Sequence, residues 1–297
     1  MAVYTLCQTK TLGSYNPQPR IRACFLMGVE MKQLLLAVLV LHIGCGFAGK
    51  TYWKDLNEKA NTLRKKGQYS EAAKLAEESL NVAEKTFGDK HLNVATSLSV
   101  LALVYQAQGK CAEAEPLQKR ALEIREKIFG PDSLNVAPYL SNLAIIYQAQ
   151  GKYAQAEPLC KQALGILEKA LGTNHPEVAI SLNNLAALYE AQGKHDGAEV
   201  LYLRSLVIYE KTLGPNHPDV AIMLGDLAAL YSNQGKYAQA EPLLESSLAI
   251  NEKTFGSDDL IVAQSLEDLA ALLKKTNREA EAAKLEARAK AIRDKAR

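Results

Sequence analysis

LNNLAALYEAQGKHDGA, residues 182–198, returns 42 residues later as LGDLAALYSNQGKYAQA, residues 224–240. The glycine near the centre of this stretch recurs at the same spacing along most of the chain. Its positions are Gly67, Gly109, Gly151, Gly193 and Gly235. Internal similarity with a period of roughly 20 to 50 residues is typical of solenoids, in which each unit buries its apolar face against its neighbours. The repeat therefore predicts a stack of similar units with a long exposed surface.

Two columns of alanine flank the glycine. One lies seven residues before it and the other five residues after it, as Ala186 and Ala198 do around Gly193. Leu182, Ala186 and Tyr189 follow the i, i+4, i+7 spacing of an amphipathic helix. Because alanine adds little bulk, it lets two antiparallel helices approach closely across a short turn. Each copy is therefore predicted to be a helical hairpin.

The connections between copies carry their own signals. A second glycine series is predicted to end each second helix in the left-handed conformation; it comprises Gly88, Gly130, Gly172, Gly214 and Gly256. The segments 174–177 (NHPE) and 216–219 (NHPD) then start the next helix, because proline suits a first helical turn and an acid follows Asn at capping-box spacing. Either Asn or His could supply the cap. Recurrent Glu-Lys pairs such as Glu168-Lys169 are interpreted as a solvated outer edge.

The segments 151–164 (GKYAQAEPLCKQAL), 171–194 (LGTNHPEVAISLNNLAALYEAQGK) and 213–221 (LGPNHPDVA) resemble the tetratricopeptide repeat. The 42-residue unit is similar to the kinesin light chain-like form of that repeat, which is longer than the usual unit of about 34 residues. The resemblance implies an all-α, right-handed superhelix of about six antiparallel helix pairs. The units are expected near residues 51–92, 93–134, 135–176, 177–218, 219–260 and 261–297. In the first unit Lys59 replaces a repeated leucine, and the last helix is rich in alanine and charge, as capping units would be.

The same resemblance implies where a partner would bind. In the family, the first helix of each pair lines the concave surface, and positions just after its leucine face bound peptide. Carried onto this chain, with residues two turns further on, these positions are Ser141, Asn142, Gln148, Asn183, Asn184, Glu190, Asp226, Glu267 and Asp268. Asparagine amides both donate and accept hydrogen bonds, so they suit an extended backbone, while the acids favour a basic or neutral ligand. The alternative is that these polar residues only solvate the wall.

No motif in the repeats predicts catalysis, a metal or a cofactor. His91, His175 and His217 share one column, but units offset by about 10 Å cannot bring them to one zinc ion, so they are interpreted as loop or cap residues. The net charge is only +2, and the sequence has no cluster of basic residues that would form a basic face. Both observations argue against nucleic-acid binding. We therefore predict a non-catalytic protein that binds a protein or peptide, with its oligomeric state left open.

Residues 31–48 resemble a secretory signal peptide. Lys32 precedes an apolar run that ends in small residues, and cleavage is expected after Ala48. Residues 1–30 would displace this signal from the terminus, so they are interpreted as an extension upstream of a start at Met31 or as a disordered segment. The prediction is an exported, periplasmic or secreted protein, whose membrane contact is through the signal alone. Lipidation of Cys45 is the competing fate, because a glycine precedes that cysteine.

Two other functions remain as alternatives. Gly44, Gly49, Lys50 and Thr51 satisfy the phosphate-loop pattern G-x-x-x-x-G-K-[ST], which would make the protein a nucleotide binder, although no further strand is predicted to support such a loop. The second alternative is a cytosolic adaptor similar to kinesin light chain, although the sequence shows no long heptad repeat for docking a motor chain.

Two cysteines lie in the repeats. Cys111 and Cys160 occupy different columns of the repeat, so they are predicted to be free thiols rather than a disulfide. The column of Cys160 mixes small, polar and aromatic residues, and it is predicted to be half buried. Its other members include Ala76, Gln118, Tyr202 and Leu244.

Overall fold

The computed structural model describes residues 49–296, and the predicted signal peptide, Cys45 and Gly44 lie outside the described residues. The repeats fall within one compact unit, Trp53–Arg297. The chain is helical over residues 49–65, which we name α1. The following helices are α2 (Tyr69–Phe87), α3 (Leu92–Ala107), α4 (Cys111–Phe129), α5 (Ala137–Ala149), α6 (Tyr153–Leu171), α7 (Pro176–Ala191), α8 (His195–Leu213), α9 (Pro218–Asn233), α10 (Tyr237–Phe255), α11 (Leu260–Lys275) and α12 (Glu279–Lys295).

The helices pack in sequence order as six pairs, which we number as units 1 to 6 from α1/α2 to α11/α12. Each helix from α2 onward contacts the helix that follows it, and α5 also contacts the first helices α3 and α7 on either side of it. The predicted all-α stack of helix pairs is therefore confirmed. Its core is a series of apolar clusters that runs from unit to unit.

The two alanine columns form the seams of this stack. Ala186 and Ala198 are fully buried, as is every other member of both columns. Those members are Ala60, Ala102, Ala144, Ala228 and Ala270 in the first column, and Ala72, Ala114, Ala156, Ala240 and Ala282 in the second. Interiors are close-packed, so a larger side chain at these positions would force the helices apart.

The turn inside each pair closes with the same hydrogen bonds. In unit 2, the Lys110 amide donates to the Tyr105 carbonyl at 2.8 Å and the Gly109 amide donates to the Gln106 carbonyl at 2.9 Å. This is the Schellman pattern, in which the turn residue needs a positive φ, and Gly109 has a φ of 75°. Unit 6 repeats it with Asn277 at a φ of 61°. Asparagine tolerates this conformation better than most residues.

The second glycine series differs from its predicted conformation. Gly172 has the expected positive φ of 85°, but its ψ is 159°, which is extended rather than left-handed helical. The chain therefore leaves each second helix in a region that only glycine adopts readily. The next helix is capped by histidine: His175 Nδ1 accepts from the Glu177 amide at 3.2 Å. His91 and His217 cap in the same way, so the cap is His rather than Asn.

Unit 3 lacks this cap. Val136 stands at the N-cap of α5 with no side-chain hydrogen bond, and α5 begins at Ala137 with Pro138 in its first turn. As a result α5 has 13 residues, against 16 in α7. A histidine cap therefore accompanies the longer first helix in unit 4.

Several glutamates of the Glu-Lys pairs join neighbouring units, so the prediction that these pairs are only a solvated edge was wrong for them. Arg204 of α8 binds Glu168 of α6 at 2.5 Å, and both side chains are partly buried. Arg120 binds Glu84 and Arg288 binds Glu252 in the same geometry. Arginine at this position of units 2, 4 and 6 therefore contacts the glutamate of the unit before it.

The column of Cys160 is buried in units 1 to 5, and the prediction of half burial was wrong for them. Cys160 and Tyr202 are each 4% exposed, and Ala76, Gln118 and Leu244 are 9% exposed or less. In unit 6 the column has Glu286, which is only partly buried. The column lies on the second helices beneath the following first helix, so its side chains form the floor between units. The prediction that Cys111 and Cys160 are free thiols is confirmed.

Candidate binding groove

The surface of α5, α7, α9 and α11, which we call the groove face, carries two depressions. The first lies between α5 and α7, above Leu167 of α6, and has a volume of about 420 Å³. Its polar rim includes Ser141, Asn142 and Asn184, three of the predicted groove residues. Ile180, whose side chain is 51% exposed, forms part of its apolar wall. The first depression therefore combines amide groups with open apolar surface.

The second depression lies between α9 and α11 and is larger, at about 580 Å³. Its floor is α10, and its walls carry Asp226 and Asp268 from the predicted set. Ile222 is 57% exposed at its edge. Lys275 also lines it, but its ammonium group donates to Ser232 Oγ at 3.0 Å across the depression. Two carboxylates and one ammonium group give this site a net negative charge.

Hydrogen bonds join α7 to α9 between the two depressions. Asn183 donates from Nδ2 to Asp226 Oδ2 at 3.1 Å. Glu190 accepts from Asn233 at 3.0 Å and from the Tyr202 hydroxyl at 3.2 Å. Tyr202 lies on the second helix α8, beneath this surface. Its hydroxyl therefore holds the Glu190 carboxylate of the groove face in place. These contacts hold α7 and α9 together where the groove passes from one depression to the other.

Burial shifts the pKa values of two groups in this cluster. Loss of solvent raises the pKa of the Asp226 carboxyl; the bond from Asn183 opposes that rise, and the negative charge of Glu190 adds to it. Burial also raises the pKa of the Tyr202 hydroxyl, with further contributions from Glu190 and Asp226. Asn183 Oδ1 is buried and accepts no hydrogen bond from any group within residues 49–296. Asp226 therefore ionises less readily than an exposed aspartate.

The remaining predicted residues are placed differently. Gln148 donates to the Ala187 carbonyl at 3.3 Å and so connects α5 to α7. Asp268 is exposed and accepts from Gln264 at 3.0 Å. Glu267 turns towards α12, where Arg293 holds both of its carboxylate oxygens at 2.7 Å. The structure therefore brings Asp268 to the second depression but occupies Glu267 with an ion pair.

Sequence reasoning missed the apolar part of the groove. Ile180 and Ile222 occupy one column of the repeat, in which units 2, 3 and 6 have Thr96, Pro138 and Gln264. A large apolar residue at an exposed position of only two units was the available signal. Phe255 of α10, 40% exposed, adds to the second depression.

The other motifs give no assembled site in the described residues. Gly49, Lys50 and Thr51 of the phosphate-loop pattern are helical, and the rest of that pattern lies outside the described chain. Across residues 49–296, no three His, Cys, Asp or Glu side chains come together as metal ligands. In the same part of the chain, none of the helices combines the length and apolar character that crossing a membrane requires.

A family model described as tetratricopeptide repeat matches the chain five times, at residues 54–127, 99–169, 135–211, 177–252 and 219–295. These matches cover all six helix pairs. The chain belongs to the tetratricopeptide repeat family. The fold is accordingly the tetratricopeptide superhelix that the sequence predicted, in a family of repeat scaffolds that bind protein partners and are typically non-catalytic.

Several solved protein structures resemble this chain. A kinesin light chain-like protein from Podosopora anserina with nearly identical TPR-like repeats is 31% identical, with a TM-score of 0.56 over 68% of this chain and 95% of that chain. BtubC (BKLC) from P. vanneervenii is 25% identical, with a TM-score of 0.61 over 75% and 89% of the two chains. A Rap protein complexed with Competence and Sporulation Factor shares the fold at 16% identity, with a TM-score of 0.59 over 82% and 75%. Among curated protein sequences, none matches the chain significantly.

Proposed function

We propose that the protein is a non-catalytic scaffold that binds an extended segment of a partner protein along the groove face. The observation that carries the proposal is the coincidence of two depressions on one face with five residues of the predicted groove. Ser141, Asn142 and Asn184 line the first depression, and Asp226 and Asp268 line the second. Each depression adds exposed isoleucine, which a partner side chain could cover.

The spacing of the depressions sets the length of the segment. The depressions lie two units apart, and neighbouring helices pack about 8–10 Å apart, so their centres are separated by about 20 Å. An extended chain rises about 3.3–3.6 Å per residue. Two apolar side chains about six residues apart would therefore reach both depressions, while the amides of Asn142 and Asn184 contact the backbone.

Charge indicates the chemistry of the segment. The second depression contains Asp226 and Asp268, and Lys275 is already bound to Ser232. A lysine or arginine of the partner next to the apolar residue would neutralise these carboxylates. Complementary charge adds selectivity and association rate more than raw affinity. The Rap protein was solved with Competence and Sporulation Factor, which supports ligand binding on a fold of this kind without naming the ligand here.

The test is selection of peptides from a random nonapeptide library displayed on phage, followed by fluorescence anisotropy of a selected peptide. Selected peptides should carry two apolar residues about six positions apart and a basic residue beside one of them. Asp268→Lys should weaken binding at least tenfold. Glu245→Lys is the matched control, because it makes the same charge change at an exposed position of the second helix α10.

Equal affinity for the two variants would place binding elsewhere and reject the groove. Failure to select any peptide would reject the extended-segment mode. Ile222→Asp provides a separate check of the apolar contact, and we expect a loss comparable to that of Asp268→Lys. Unchanged circular dichroism in each variant would show that the helices remain folded.

We also propose that the protein is exported through residues 31–48. Lys32, the apolar run that follows it and the small residues up to Ala48 support this proposal. N-terminal sequencing and intact mass of the protein from its native host test it. A terminus at Gly49 is expected; an acylated terminus at Cys45 would indicate lipidation instead, and peptides that cover residues 31–48 in the mature protein would reject export by this route.

A further inference from the structure

The outer surface of α8 carries an exposed apolar row. Val200, Leu203 and Val207 are 65%, 40% and 60% exposed, although helix surfaces that face water are usually polar. These residues follow one another at i, i+3 and i+7, so they project from one side of the helix. They lie on the second helix of unit 4 and do not line either depression.

The row is specific to unit 4. At the position of Leu203, the other second helices have Glu77, Lys119, Lys161, Glu245 and Ala287. At the position of Val207 they have Asn81, Glu123, Gly165, Ala249 and Ala291. Stacking of the units cannot require apolar residues here, because the neighbouring units stack with charged or small ones. Packing between units therefore does not account for this apolar row.

Opposite charges stand at the two ends of the row. Asp196 precedes it and Lys211 follows it, and both residues are exposed. With about 100° per residue, all five side chains lie within about 80° of each other around α8. Lysine occurs at this position in every unit, but the other units have serine or alanine where unit 4 has Asp196. The result is an acid–apolar–base stripe, which we call the α8 stripe.

We propose that the α8 stripe is a homodimer contact in which two copies of α8 pack antiparallel about a two-fold axis. In this register Val200 of one protomer faces Val207 of its partner, and Asp196 faces Lys211. A two-fold contact requires a surface that is complementary to itself, and the order of charges along the α8 stripe has this property.

The neighbouring second helices leave room for a partner helix. Gly165 of α6 would meet nothing within 4 Å if it carried a Cβ, and Ala249 of α10 is exposed. Both lie in the column of Val207, so the flanks of the α8 stripe are low at its Val207 end. The apolar centre is small, and interfaces of this kind belong to the weak class below about 1,200 Å². The dimer should therefore depend on concentration.

Sedimentation velocity of the purified protein as expressed tests the proposal, from about 1 µM to about 1 mM, which covers weak association. The sedimentation coefficient should rise from the monomer to the dimer value. Leu203→Lys should abolish this rise. Asp196→Lys and Lys211→Asp should each raise the dimer dissociation constant at least tenfold, because each places like charges opposite one another.

The charge-swapped double variant, Asp196→Lys with Lys211→Asp, should restore the dimer. The two residues are 15 positions apart on one helix, so restoration can only come from contact between protomers. Lys253→Asp, at the equivalent position of α10, is the matched control and should dimerise like the native protein. A monomer at every concentration, or a double variant as weak as the single variants, would overturn the proposal and leave the groove untouched.

Discussion

Glu157 of unit 3 accepts a hydrogen bond at 3.0 Å from Lys194, which lies in the turn of unit 4, 37 residues later. The same carboxylate accepts from Lys161 at 2.7 Å and from the Tyr189 hydroxyl at 3.4 Å. Glu115 and Lys152 form the equivalent contact one unit earlier. A glutamate on each of these second helices therefore connects its unit to the tyrosine-bearing helix or turn of the next.

These contacts predict loss of stability in acid. The hydrogen bond from Lys161, followed by that from Lys194, lowers the pKa of Glu157 from 4.5 to about 2, and Glu115 is lowered to about 2 by Lys119 and Lys152. A carboxylate with a lowered pKa stabilises the folded state above its unfolded pKa. That stability is lost as the pH falls from about 5 towards 2. The free energy of unfolding, measured in urea, should fall over this range.

Glu157→Gln should flatten this acid dependence. At pH 7 the variant should be less stable by on the order of 1 kcal/mol, because solvent screens the partly exposed lysines. Glu245→Gln is the control, since its carboxyl is exposed on α10 and no lysine or arginine pairs with it in the described chain. If the two variants have the same pH profile, the contact between units does not stabilise the stack.

Two glycines should respond to alanine with opposite sign. Gly193 has a φ of 72° in the turn of unit 4, so Gly193→Ala should destabilise the protein by about 1–2 kcal/mol. Gly165 lies inside α6, and an added Cβ would meet nothing within 4 Å. Gly165→Ala should therefore stabilise the protein by up to about 1 kcal/mol through better helix propensity. Urea unfolding of both variants measures the difference, and changes of equal sign would contradict this account.

The sequence predicted the fold because each unit repeats the physical requirements of the last. The spacing of Ala186 and Ala198 around Gly193 identified the helix pair, and all three residues have the predicted role. The contacts between units were harder to predict, because they join residues 36 or 37 positions apart that look like ordinary surface charges. Glu168 is an example: its lysine neighbour suggested a solvated edge, but Arg204 from the next unit binds it.

The two thiols of the repeats should differ in reactivity. Burial, with a contribution from Glu157, raises the pKa of the Cys160 thiol to about 11, so little thiolate forms at pH 8. Cys111 is half buried at the start of α4. Iodoacetamide should therefore modify Cys111 in the folded protein, whereas Cys160 should react only after denaturation. Mass mapping of labelled peptides measures this, and similar rates for the two folded-state thiols would disprove the burial of Cys160.

The groove was predictable only where it is polar. Asn142 and Asp268 were found from the position of the leucine in the first helix, a position that the family resemblance supplied. Tyr202 was missed because it lies on a second helix, and only the packed structure shows that its hydroxyl reaches Glu190. Nor does a sequence show that Glu267 faces Arg293 while Asp268, one residue later, faces the depression.

Asp226 should stabilise a basic ligand at a cost to the free protein. Burial raises the pKa of its carboxyl, and Glu190 adds to that rise, so the ionised form is unfavourable in the folded state. A carboxyl whose pKa is raised on folding loses stability as the pH increases through the interval between its unfolded and folded values. Asp226→Asn keeps the shape and can still bind Asn183. At pH 7 we expect the variant to gain up to about 1 kcal/mol of stability, or about 2–4 °C in Tm for a chain of this size.

The same substitution should weaken the binding of a lysine-bearing groove peptide, because the carboxylate that would meet the ammonium group is gone. Affinity of the native protein should also fall as the pH is lowered from neutral, and the fall should begin at a higher pH than it would with an exposed aspartate. In Asp226→Asn the pH dependence of affinity should shrink. Asp268→Asn should also weaken binding, but its affinity should keep the pH dependence of the native protein. Anisotropy titrations at each pH, paired with thermal unfolding, separate the two effects. A variant that loses stability and keeps its affinity would show that Asp226 supports the fold rather than the ligand.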